Sequence, residues 1–178
     1  MSDPTLLLIS GSLRKGSFNR QLLGEAARLF GGHKALSADL RLPLYDGDLE
    51  ASDGIPATVQ LLADQIAEAD AVVISGPEYN QSISGVLKNA LDWVSRVDGN
   101  PWQDKPVALI SAAAGRAGGA RAQYAMRLAM TPFRPRLLTG PEVLIASAHG
   151  AFGDDGRLSD ERYQAALQGL MEGLRSAI

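Results

Sequence analysis

A chain of 178 residues, 46% apolar and 21% charged, has the length and composition of one globular domain with a sizeable core. Its formal charge of −3 leaves no broad basic footprint, which argues against nucleic acid as a partner. With no cysteine, it has no disulfide, thiolate metal site, cysteine nucleophile or iron–sulfur centre.

The first element is the apolar run TLLLIS (5–10). No basic leader precedes it, and Leu6 to Ile9 is too short for a signal peptide core or a membrane span, so a cytoplasmic protein is expected. A Gly/Ser loop and an amphipathic stretch follow, then a weaker strand over about residues 35–42. Ile55, Val59, Leu62, Ile66 and Ala69 recur at helical spacing before a second apolar run, DAVVISG (70–76). Val86, Leu87, Ala90, Leu91 and Val94 mark the next helix, and KPVALISAA (105–113) the next strand. A fourth helix, a strand in EVLIASA (142–148) and a final helix complete the order. That last helix carries Tyr163, Ala166, Leu167, Leu170, Met171 and Leu174 in one stripe. Ser159 is its expected N-cap, Asp160 and Glu161 lie in its first turn, and Leu158 is placed to staple onto Tyr163. The preceding GDDGRLSDE (153–161) lacks the alternating ligands of a calcium loop and reads as a tight turn.

Five strands alternate with five helices, without repeats or an evident linker, so one domain over residues 1–178 is expected. The long strand runs are continuous rather than alternating, as in a parallel sheet covered on both faces. Right-handed crossovers then give a doubly wound α/β sheet whose ligand site lies at the C-terminal ends of the strands. The loops after Ser10, Ser75 and Ser111 share that edge.

The first of them, GSLRKGS, departs from a triphosphate loop. Ser17 stands where the lysine of that motif belongs and Phe18 where its magnesium-holding hydroxyl belongs. The dinucleotide fingerprint is absent too, since Leu13 replaces its second glycine. A ring of Ser12, Ser17 and Asn19 remains, with Arg14 able to add a bidentate fork at a helix N-terminus. This equipment suits a terminal monophosphate without a metal. It equally suits an ordinary capped turn with Ser17 or Asn19 as N-cap and Arg14 in solvent. In the second loop, GPEYNQSISGVLKNALDW (76–93), Tyr79 offers a flat face among polar neighbours, a mixture that fits a heteroaromatic ring.

GSLRKGSFNRQL and GPEYNQSISGVLKNALDW together resemble the NADPH-dependent FMN reductase family, which includes chromate and quinone reductases. The resemblance implies a flavodoxin-like fold with strand order 2-1-3-4-5 that binds FMN without a covalent bond. By motif, Ser12, Arg14, Ser17, Phe18 and Asn19 would hold the FMN phosphate, and Pro77, Glu78, Tyr79, Asn80 and Gln81 would border its ring. In the third loop, SAAAGRAGGARAQY (111–124), Ser111 and Gly115 would close over the ring edge, and Gly118 and Gly119 let the backbone approach. Arg116 could meet an NADPH phosphate or an anionic substrate, or be a solvated loop residue.

The implied activity is reduction of quinones, free flavin, ferric chelates, chromate or azo and nitro compounds by NADPH or NADH, in a ping-pong cycle. The cofactor carries the redox chemistry, so no catalytic side chain is required. His149, after the last strand, could protonate a quinone, orient a substrate or lie in solvent; Arg96, at the end of the helix that follows the second loop, could reach a flavin across a dimer interface or stay a surface charge. Arg121, Tyr124 and Glu142 match an arrangement that knits dimers into tetramers in the family, with a local surface salt bridge as the alternative. Trp93, Trp102 and Tyr124 read as core or interface aromatics. A flavodoxin-type electron carrier and a non-catalytic flavin-binding module are the competing functions. The modest charge and the Arg14–Lys15 pair favour the enzyme.

Overall fold

The computed structural model describes residues 3–178. β1 (Thr5–Ser10), β2 (Lys34–Ser37), β3 (Ala71–Ser75) and β4 (Pro106–Ala112) pair in parallel in the order β2-β1-β3-β4. The fifth position in the sheet is shared. β5 (Arg136–Leu137) pairs with the start of β4, at Pro106 and Val107, and β6 (Val143–Ile145) pairs with its end, at Ile110 to Ala112. Pro141, which has no N–H to donate, and Gly140 interrupt the ladder between them. The flavodoxin-like order is therefore as expected, with its last strand split and the expected strand over 142–148 cut to three residues.

Burial explains the continuous apolar runs. Leu6, Val73, Ala108 and Ile110 point into the layer formed with α1 (Phe18–Phe30) and α6 (Glu161–Ser176). Leu7, Ile9, Val72, Ile74, Val107 and Leu109 point the other way, against α3 (Ala57–Glu68), α4 (Gly85–Val94) and α5 (Ala120–Met130). Side chains alternate along each strand, but both faces are covered, so both sets are apolar.

Three expectations change. The strand over 35–42 closes at Ser37; Leu40 is buried beyond it without a ladder partner, so its alternation reflects packing rather than pairing. A sixth helix, α2 (Gly47–Asp53), is capped by Asp46 and buries none of its residues, hence the lack of an apolar stripe to announce it. The N-cap of α6 is Asp160, not Ser159: its carboxylate accepts from the N–H of Arg162. Leu158 is buried in the same cluster that Tyr163 joins, and Phe152 bridges Leu158 to close the expected turn. Trp93 and Trp102 are core residues.

Candidate functional site

β1 ends at Ser10 and the chain turns at Gly11, whose N–H donates to Ser75 O (2.8 Å). A Cβ on Gly11 would stand 3.1 Å from Pro77 Cδ, so the first and second loops touch at their bases. Ser84, the N-cap of α4, fastens the contact by donating to Gly11 O (2.6 Å). On the other side Gly76 lies against Met126 of α5; a Cβ there would meet Met126 Sδ at 2.9 Å. The loops leave one cleft of about 200 Å³, lined by Ser12, Arg14, Ser17, Phe18, Asn19, Pro77, Glu78, Tyr79 and Ala112 to Ala114.

The first-loop wall is an N–H cradle. Ser17 is the N-cap of α1, its hydroxyl accepting from Asn19 N (3.2 Å). The N–H groups of residues 13–16 and of Phe18 have no acceptor among the described residues. Of these residues Arg14 and Phe18 line the cleft, and the N-terminus of the 13-residue α1, where the helix dipole favours an anion, stands at it. Arg14 lies over the Phe18 ring, 5.5 Å from its centre, which limits where the guanidinium travels.

Asn19 does other work. Its Nδ2 donates to Ala112 O (2.9 Å), and its Oδ1 accepts from Ala112 N (3.0 Å) and Ser75 Oγ (2.9 Å). The side chain thus fastens the first turn of α1 to β3 and β4, a clamp role that sequence reading did not assign, while Asn19 also lines the cleft as expected of a cofactor-binding residue.

The second loop is a tight reversal. Tyr79 and Ser82 exchange backbone hydrogen bonds of 3.0 Å, with Asn80 (φ 49°) and Gln81 (φ 65°) left-handed at the turn. Asn tolerates this conformation; Gln in place of the usual Gly hid the turn from sequence reading. Tyr79 stays 52% exposed and lines the cleft, whereas Asn80 and Gln81 lie outside the lining.

The third loop supplies Ala112 to Ala114 rather than the residues expected of it. Ser111 is fully buried; it donates to Gly118 O (2.6 Å) and accepts from Gln123 Nε2 (3.4 Å), so it shapes the loop from beneath. Gly115 is exposed, and its carbonyl accepts from Ser147 N (3.3 Å). That bond, with Ala148 N to Ala113 O (3.0 Å), brings the His149 turn to the same edge, but His149 and Arg116 are exposed and neither lines the cleft.

Arg96 belongs to another cluster. Its Nε donates to both Glu50 oxygens (3.0 and 3.0 Å), and the Tyr45 hydroxyl donates to the same carboxylate (3.1 Å). Trp93 Nε1 and Asn89 Nδ2 hold Pro43 O (2.8 and 2.9 Å), so α2 and its entry loop are docked on α4. Arg96, hydrogen-bonded to the carboxylate, keeps Glu50 below its ordinary pKa of 4.5, helped by Tyr45. A depressed carboxyl stabilises the fold above its unfolded pKa, and that contribution fades as pH falls through the folded value. The urea midpoint of the wild type is therefore expected to exceed that of Glu50→Gln at pH 7. The gap should narrow as pH falls below 4.5; a gap independent of pH would refute the ion pair.

Arg121 pairs with Glu78 in its own chain (3.6 Å), the local alternative to an intersubunit role. Tyr124 is 60% exposed and Glu142 is exposed. A larger hollow, about 530 Å³, lies between α4 and α5, lined by Lys88, Asp92, Leu91 and Phe133 among others. It lies away from the three loops and has no anion cradle, so the smaller cleft is the chemically equipped one. Among the described residues no acidic or histidine cluster could hold a metal, and no helix is long and apolar enough to cross a membrane.

Among known proteins, the NADPH-dependent FMN reductase family matches residues 4–150. The chain is 43% identical to an NAD(P)H-dependent FMN reductase of Pseudomonas aeruginosa, covering 98% of this chain and 96% of that one. It is 41% identical to a quinone reductase of Escherichia coli over 78% of this chain and 76% of the other. The solved structure of FerB, a flavoenzyme NAD(P)H:(acceptor) oxidoreductase from Paracoccus denitrificans, superposes with a TM-score of 0.87 at 34% identity, covering 97% and 96% of the two chains.

Proposed function

The chain belongs to the NADPH-dependent FMN reductase family, and from this premise we propose that the three-loop cleft holds FMN and that quinones are reduced there at the expense of NAD(P)H. The observation that carries the reading is the pairing of two unlike walls across one cleft: free N–H groups with Ser12, Ser17 and Arg14 on one side, the Tyr79 face on the other. A phosphate monoester has three oxygens to satisfy, and the first wall offers backbone donors, hydroxyls and a guanidinium in that number or more. Nothing there bridges a second phosphate or a magnesium ion. The donor set fits FMN.

Bound FMN would supply the redox chemistry that links nicotinamide to acceptor. The residues bind and orient. Phe18 holds Arg14 over the phosphate end, Asn19 keeps the first and third loops in register, and Pro77 to Tyr79 form the ring-side wall with Ala112 to Ala114. We read residues 1–178 as one such domain. Donor and acceptor would occupy the same open side by turns, which predicts parallel double-reciprocal plots. Free flavin, ferric chelates, chromate and azo or nitro compounds form the wider acceptor set that an open cleft admits. A homodimer or tetramer is the assembly we propose, with the exposed Tyr124 on the contact face.

The test is the absorbance spectrum and extracted cofactor mass of the purified protein, followed by NADPH oxidation with excess benzoquinone. Flavin absorbance, the mass of FMN and many turnovers per chain are expected. Protein that neither carries nor takes up FMN would refute the reading, and a single reducing equivalent per chain would make it a carrier.

A further inference from the structure

α5 starts without a cap of its own. Its N-cap is Gly119, which has no side chain and sits at φ 89°, so the first N–H groups of the helix need an acceptor from elsewhere. Glu78 provides it from the second loop, 43 residues away: its Oε2 accepts from Arg121 N at 3.1 Å. Oε1 lies 3.6 Å from the Arg121 guanidinium, which is itself 60% exposed, so the backbone bond is the better defined of the two contacts. The Glu78 side chain is 16% exposed, and its residue lines the cleft beside Tyr79. Where Gly76 fixes only the base of the loop against α5, this carboxylate ties down its outer half, next to the ring-side wall.

We propose that Glu78 is a positioning residue that caps α5 from the second loop and thereby sets the spacing between Tyr79 and the third loop, the gap that takes the flat ring of FMN. The proposal rests on the reading of the cleft as an FMN site and names the device that fixes its width. Glu78 makes no chemical step; it acts through the placement of Tyr79.

Riboflavin and FMN separate the two ends of the site, because riboflavin has the ring and lacks the phosphate. Both are titrated into the deflavinated full chain by flavin fluorescence. Glu78→Ala is expected to raise the two dissociation constants by the same factor, about tenfold for the loss of one helix cap. Glu78→Asp, one methylene short of the N–H, should match it and carries the test if the Ala variant does not fold. Glu78→Gln keeps an oxygen at the same reach and should stay within about threefold of wild type. Arg121→Ala, which keeps the N–H, should leave both constants within about twofold. Arg14→Ala should weaken FMN and spare riboflavin. Unchanged binding in Glu78→Ala or Asp, a Gln variant as weak as either, or an Arg121→Ala loss equal to theirs overturns the proposal. An Arg14→Ala variant that binds FMN normally would instead overturn the cleft reading beneath it.

Discussion

Asn19→Ala is expected to cost about 3–5 kcal/mol of folding stability and to abolish FMN retention together with it. Three groups lose their partner at once: the Ala112 N–H, the Ala112 carbonyl and the Ser75 hydroxyl, all buried. An orphaned buried donor or acceptor costs about 1–3 kcal/mol, and water entering the small void left by Ala recovers part of the sum. Against a total stability of roughly 5–15 kcal/mol the loss is severe, and for a chain of this size it lowers Tm by about 10 °C or more. Ser17→Ala provides the scale: it removes only the N-cap of α1, worth about 1 kcal/mol. Asn19→Asp should not rescue, since a carboxylate cannot donate to Ala112 O and would bring a charge into a buried site. Thermal melts of the three variants, each with its flavin content, make the comparison. A loss below about 1 kcal/mol for Asn19→Ala would show that the clamp is not what holds the three loops together.

This residue also marks where sequence reading reaches its limit. The Gly/Ser loop, its helix and the loop after β3 were legible because each is a local pattern of residue types at short spacing. The central strands were legible for the same reason, since a strand covered on both faces is apolar without interruption. What Asn19 does with its amide depends on Ser75 and Ala112, which lie 56 and 93 residues along the chain, and no spacing rule connects them. Ligand and clamp therefore looked alike. The Glu78 cap on α5 is hidden in the same way. Conversely, Ala38, Leu40 and Leu42 alternate as a strand does, yet the last bond to β1 is Ala38 N to Leu8 O (3.0 Å), and beyond it Leu40 and Leu42 join the core without a ladder partner. α2 escaped because a helix with no buried face has no period to read. In α6, Ser159 and Asp160 are both competent caps; the backbone alone decides between them.

The third loop yields the sharpest contrast between neighbouring glycines. Sequence reading placed Gly115 at the ring edge and a close backbone approach at Gly118 and Gly119; the latter two have no room for a Cβ, and at Gly118 the obstacle is backbone. A Cβ on Gly118 would lie 2.5 Å from Leu144 C and 2.6 Å from Leu144 O, and the residue sits at φ 60°. Leu144 is the partner of Ser111 in the sheet, so the obstacle is ladder backbone that has nowhere to go. Gly118 must instead withdraw, and its carbonyl is the acceptor for the Ser111 hydroxyl, which would lose its bond. Gly118→Ala thus combines a left-handed backbone, about 1 kcal/mol or more, with a steric clash and a broken buried hydrogen bond. We expect a loss of at least about 3 kcal/mol and a weaker hold on both FMN and riboflavin, because Ala112 to Ala114 move with the loop. Gly115→Ala is the matched control: nothing lies within 4 Å of its Cβ position and its φ is not in the left-handed range, so its effect should stay within about 0.5 kcal/mol. Urea denaturation of the two variants side by side decides the matter. If they are indistinguishable, the close approach of Gly118 to β6 is not what shapes this wall, and the placement of Ala112 to Ala114 must come from Ser111 and Gln123 alone.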